Sequence, residues 1–198
     1  MENKIEIKRD LAHVDYESGR YQTMKEHSEN VANYAAETCS LSELKILVTL
    51  IGLLHDAGKL GRENQEDFEK ILQYGDDAHK HGLDHSTAGG RLIKELFKEK
   101  SVSEFISTVI YFHHGMGDCI KLDNGQSLQQ QRDEKQIDYD WIKTEFFQIY
   151  DKEILEEYCE KAIQAYKKME RKINSFHKES EILKRKCGNR YFFMGMYL

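Results

Sequence analysis

The stretch LLHDAGKLG at residues 53–61 decides how this chain is read. An apolar helix runs straight into a His, an Asp and, three residues later, a Lys. A helix C-terminus that happens to be polar is the plainest account. A metal site built on the helix end is the other, and the rest of the sequence has to choose between them.

Working outward, Ser40-Leu-Ser-Glu43 has the form of a capping box. It would open a helix through Leu44, Leu47, Ile51 and Leu54 that is apolar nearly all round and therefore central. Gly58 suits its C-terminal stop. Upstream, Thr23-Met-Lys-Glu26 is a second box, opening a helix to about Thr38. Downstream the pattern predicts a shorter helix near residues 66–74. Another starts at Asp84 or Ser86 and runs through Leu92, Ile93, Leu96 and Phe97. A further one spans 102–113, with Val102, Phe105, Ile106, Val109 and Ile110 inward. Residues 115–138 are polar, with Gly-Asp, Asn-Gly and Gln-Gln-Gln, and read as a long mobile loop. Long helices cover roughly 140–186, and Asn189 starts a last one. The absence of proline agrees with long helices. The expected class is all-α, a helical bundle with the site at helix ends. Residues 1–198 read as a single domain without repeats or a linker. The closing run RYFFMGMYL turns apolar and stops without a cap, which reads as a domain cut from a longer protein.

The 198 residues allow one domain with a real core. Hydrophobic content of 39% and charged content of 32% describe a soluble globular chain, and no apolar run reaches the roughly 20 residues that span a bilayer. No secretory signal and no membrane partner are expected. Cys39, Cys119, Cys159 and Cys187 are widely spaced, as for reduced thiols in a cytoplasm. The net charge of −6 is uneven: residues 161–190 carry about +7 and the remainder about −13. Nucleic-acid binding needs a basic surface, and only the C-terminal third offers one. Such a run is more often just the solvated face of a helix.

Eight of the nine histidines precede residue 115. His27 lies on the stripe Met24, Val31, Tyr34, Ala35. His55 continues Val48 and Ile51. His85 heads the stripe Ala88, Gly89, Leu92. His113 follows Ile106 and Val109, and His114 follows Ile110. One such His is an ordinary core residue. Five of them beside Asp56 are costly to bury without partners, whereas a shared cation satisfies them together. Neutral imidazole and carboxylate suit Mn, Fe, Co, Ni and Zn.

These residues carry a resemblance. His27, the doublet His55-Asp56 and Lys59 three positions on resemble the HD phosphohydrolase superfamily. YQTMKEHSENVANYA, then LLHDAGK, a Phe-containing helix (Phe68), DHSTAGG and FHHG are similar, in order and spacing, to the HD nuclease domain of the CRISPR-associated helicase-nuclease of type I systems (Cas-three). The similarity covers most of residues 11–116. It implies one metal at His27, His55 and Asp56, with Asp56 bridging to a second held by His85, His113 and His114. The family pattern has a later Asp on a further helix, which here would lie beyond Leu198 unless Asp118 or water substitutes. The implied cofactors are two divalent ions (Mn, Co, Ni, Fe or Mg).

Two metals roughly 3.5–4 Å apart can clamp a phosphodiester and activate a water. Lys59 either favours the helix dipole or stabilises charge near the scissile phosphate, and both can hold. Ser86 orients a ligand, contacts phosphate or caps a helix. Gly89 and Gly90 fit close helix packing under the site. Asp84 reads as a cap, and His13, His79, His81 and His177 as surface residues. The resemblance implies single-stranded DNA as substrate, cut endonucleolytically and trimmed 3′ to 5′. Its implied partners are a helicase, fused or separate, and a crRNA-guided surveillance complex. Two rivals stand beside this: an HD phosphohydrolase of a nucleotide or cyclic dinucleotide, with a closed base-reading pocket, and a non-catalytic helical module holding a structural metal.

Overall fold

The computed structural model describes residues 10–75, 84–115, 122–123 and 125–187. Eight α-helices occur among them, and the expected all-α class holds. The chain begins with a short antiparallel hairpin, β1 (Leu11–Asp15) and β2 (Arg20–Thr23). His13 pairs with Gln22, next to an irregularity in the register.

Helix α1 (Met24–Thr38) starts where its box places it. The Thr23 hydroxyl accepts from the Glu26 N–H, and the Glu26 carboxylate accepts from Thr23 N–H. The box at Ser40–Glu43 does not form. A 3₁₀ turn at Ser42–Leu44 precedes α2 (Lys45–Leu54) with no side-chain cap. Glu43 is engaged elsewhere, by Lys168 and Lys172 of the helix at Lys152–Cys187. Where a carboxylate has two cations within reach, its backbone-capping role loses.

Helices α1 and α2 cross at Gly52, where a Cβ would lie 2.5 Å from the Ala32 Cα. A second 3₁₀ turn, Ala57–Leu60, links α2 to α3 (Arg62–Tyr74). Helices α4 (Thr87–Leu96) and α5 (Lys100–Tyr111) pack together and cover α2. Leu50, Leu54, Leu60, Leu92, Ile93, Ile106 and Ile110 are fully buried at their junction. Each such side chain contributes about 1.5–3 kcal/mol relative to exposure. Phe105, expected inward, is 43% exposed.

The 115–138 stretch is not one loop. Among its described residues are a short hairpin, β3 (Leu122–Asp123) and β4 (Gln126–Ser127), and helix α6 (Leu128–Glu134). Its signal was a third box: Ser127 Oγ accepts from Gln130 N–H, and Gln130 Oε1 accepts from Ser127 N–H. Helix α6 is pinned by Lys94 and Tyr111, both on Asp133. Helices α7 (Tyr139–Ile149) and α8 (Lys152–Cys187) close the bundle through Ile142, Phe146, Leu155 and Ala162. From residue 171 to 179, α8 is exposed on every side. No described helix is long and apolar enough to cross a membrane. The helix expected from Asn189 and the residues His79, His81 and Asp118 lie outside the described residues.

Candidate metal centre

Helix α2 ends at Leu54, with His55 as its C-cap and Asp56 just past it. The end of this central helix is therefore the place where the polar side chains begin. His55 Nδ1 lies 2.8 Å from the Gly52 carbonyl, one turn back. A carbonyl only accepts, so Nδ1 carries the proton and a neutral ring turns its Nε2 lone pair outward. His113, just past α5, repeats the device with the Ile110 carbonyl at 2.8 Å.

Asp56 is 4% exposed, and the imidazoles gather round it on two sides. Its Oδ2 faces His27 Nε2 at 3.0 Å, His55 Nε2 at 3.3 Å and Lys59 Nζ at 2.8 Å. Its Oδ1 faces His113 Nε2 at 3.3 Å and His85 Nε2 at 3.8 Å. His114 completes the second side, its Nε2 2.5 Å from that of His85. Asp56, His85, His113 and His114 offer donor atoms within 4.8 Å of one another, and so do His13, His27 and Asp56. All seven residues singled out in the sequence are thus brought to one place: His27, His55, Asp56, Lys59, His85, His113 and His114.

The donors fit a cation. Asp56 Oδ1 and His113 Nε2 are buried with no hydrogen-bond partner among the described residues. A neutral His113 points a lone pair at a carboxylate oxygen, and His55 does the same on the other side. Two such contacts repel in a buried site unless a proton or a metal ion lies among them. The Asp56 carboxyl is held well below the ordinary carboxylate range. Burial works against this, and the imidazoles of His113, His27 and His55 outweigh it. Burial likewise lowers His113, but the Asp56 carboxylate and the Ile110 carbonyl leave its pKa raised.

Backbone packing delivers His85. Gly58 N–H donates to the His85 carbonyl at 2.9 Å. A Cβ on Gly58 would lie 2.6 Å from both Cα and O of His85. The reading of Gly58 as a helix stop is corrected accordingly: the helix has already ended, and the glycine permits this close approach. Gly89 and Gly90 do serve close packing, since their Cβ atoms would strike the Leu54 carbonyl and the Tyr111 ring. Asp84 is the cap that it was read as, accepting from Thr87 N–H at 2.9 Å and from the Thr87 hydroxyl at 2.8 Å. It also pairs with Arg132 at 2.7 Å and Lys135 at 2.6 Å, which ties α6 to the segment carrying His85. Ser86 takes the N-cap position without capping; it is buried, and its hydroxyl donates to the Tyr111 carbonyl at 3.4 Å.

His13 is the residue that the sequence reading missed. Expected on the open surface, its ring packs edge-on to His27 with centroids 4.6 Å apart. Its Nε2 lies 3.0 Å from Lys59 Nζ. Although the residue is exposed overall, burial of the ring and the Lys59 ammonium lower its pKa to about 4. The available signal was the alternation of LAHVD, a strand pattern too short to weigh against the helical frame. His177, on the exposed part of α8, is not part of the cluster.

A family model described as the HD domain matches residues 24–185, most of the chain. No curated protein and no solved structure matches it.

Proposed function

We propose, from the premise that this chain belongs to the HD domain family, that it is a metal-dependent phosphodiesterase acting on single-stranded DNA. Membership supports metal-dependent phosphohydrolase chemistry. The finer reading rests on the order of HDAGK, DHSTAGG and FHHG in the sequence. Its carrying observation is the division of Asp56: Oδ2 turned to His27 and His55, Oδ1 to His113 and His85.

In this reading His27, His55 and Asp56 would hold one divalent ion, and Asp56, His85, His113 and His114 a second. Such ions would supply Lewis acidity and an activated water. The chain's own part is to fix the donors. The carbonyls of Gly52 and Ile110 set the tautomers of His55 and His113, and Gly58 and Asp84 fix the start of α4. Lys59, beside Asp56 in a side chain only 12% exposed, meets a non-bridging phosphate oxygen and offsets charge in the transition state. Imidazole-rich donors favour Mn²⁺, Co²⁺, Ni²⁺ or Fe²⁺ over Mg²⁺. The biological role that goes with the sequence resemblance is CRISPR interference in the cytoplasm, with a helicase feeding the strand and a crRNA-guided complex selecting it.

One observation favours a nucleotide phosphohydrolase instead. A cavity of about 810 Å³ lies beside the centre, reached by Gly58 and Asp84, with the amides of Asn64 and Gln136 on its wall. Amides can read a base edge. The wall also carries Glu63, Glu66 and Asp138 against the cations Arg62 and Lys135, which is a poor lining for phosphate.

Circular single-stranded DNA with Mn²⁺ decides the matter. The expected result is linearisation and degradation by the wild type and none by a variant carrying both His55→Ala and Asp56→Ala. An intact circle with release of phosphate or monophosphate from free nucleotides overturns the nuclease reading.

A further inference from the structure

The β1–β2 hairpin is bound to the centre by one buried side chain. Gln65 of α3, 6% exposed, accepts from Leu11 N–H at 2.9 Å. Its amide donates to the carbonyls of Leu11 at 2.8 Å and Lys59 at 2.7 Å. A single amide thus fastens the strand to the turn that follows Asp56. Every hydrogen-bonding atom of the Gln65 carboxamide faces this junction, which sets β1 in place two residues before His13.

The consequence is a lobe on the Oδ2 side of Asp56. His13, His27 and Asp56 present donor atoms within 4.8 Å of one another. Between them stands a cation that the chain itself supplies. Lys59 Nζ is 2.8 Å from Asp56 Oδ2 and 3.0 Å from His13 Nε2. An ammonium in contact with both a carboxylate oxygen and an imidazole lone pair marks a position that favours positive charge. His13 Nε2 must be the acceptor in that contact, since an ammonium only donates. The same lone pair is a metal donor, and two imidazoles with a carboxylate are a transition-metal donor set.

The geometry points to His13 as a further ligand of the ion on the His27 side of Asp56, at the position where the Lys59 ammonium meets Asp56 Oδ2 and His13 Nε2. An ion bound there would displace the Lys59 ammonium from the lobe and free it for the substrate in the proposed hydrolysis. The hairpin is then part of the centre, and Gln65 is the residue that positions it. This rests on the reading of the cluster as a metal centre.

The test is a titration of the full chain with Zn²⁺, a diamagnetic ion, followed by the ring-nitrogen NMR signals of its histidines. The His13 ring nitrogens should shift at the same equivalents as those of His27. The His13→Gln variant, altered at an exposed strand position, should keep its fold by circular dichroism. Removing an outer-shell partner costs about 10–100-fold in metal affinity, so loss of this ligand should weaken one of two sites at least tenfold in calorimetry and leave the other unchanged. Gln65→Met, with His13 intact, should weaken the same site. Static His13 signals while those of His27 and His55 move, or unaltered binding by His13→Gln, overturn the proposal and leave the metal centre standing. A wild type that binds no divalent ion overturns the metal reading itself.

Discussion

Gly58 and His85, 27 residues apart, are joined backbone to backbone: the N–H of the one donates to the carbonyl of the other at 2.9 Å. The contact locks the turn after Asp56 onto the segment that carries His85. A methyl group has no room there, at 2.6 Å from the His85 Cα. Gly58→Ala should therefore cost about 1–3 kcal/mol or more in urea unfolding. It should also lose the Oδ1-side ion selectively in calorimetry, with His27 and His55 still titrating.

Asp56 serves both histidine groups, so its loss differs in kind from the loss of any one histidine. Asp56→Asn should abolish binding of both ions. His27→Gln and His113→Gln should each abolish one, as read by the stoichiometry of Mn²⁺ titration. After chelation the Asn variant leaves the largely buried Lys59 ammonium without its carboxylate partner. Breaking a buried ion pair costs about 3–5 kcal/mol, and urea unfolding after chelation should register a loss of that order.

Ions that bind only the folded chain stabilise it by mass action. At a hundredfold excess over Kd one site contributes about 2.7 kcal/mol, which for a domain of this size raises Tm by about 5–10 °C. Scanning calorimetry with Mn²⁺, then with excess chelator, should show the rise and its full reversal. Absence of any shift would remove the centre as an ion-binding site.

Asp84 sets an acid limit. Burial raises its carboxyl, but Lys135 and the Thr87 N–H and hydroxyl overcome this and hold it at about 2. A depressed carboxyl contributes its stability in full above its unfolded value and loses it as pH falls through the folded one. The loss therefore runs from about pH 4 down to about pH 2. The urea midpoint should drop from about pH 5 to about pH 3 for the wild type, and drop less for Asp84→Asn, which has no such carboxyl to protonate.

Much of this was written locally. Thr23 and Glu26 state the start of α1 in four residues, and His27, His55, His85 and His113 sit on apolar stripes at helix ends where the structure brings them together. Other parts depend on distant partners. Ser40 and Glu43 have the spacing of a cap, but α8 takes Glu43 with two lysines from about 130 residues away. The role of Gln65 depends on Leu11, 54 residues back, and His13 inherits its position from that bond. The α6 box was legible at Ser127 and Gln130, and polar composition around it hid the signal. Nothing local marks Asp84 as the counter-charge of Arg132 and Lys135.

The donors of the centre come from α1, the end of α2, the start of α4 and the end of α5, between residues 27 and 114. An ion held there would act as a rivet through four helix ends, so stripping it would loosen all four at once, and the bundle would be stiffer loaded than bare.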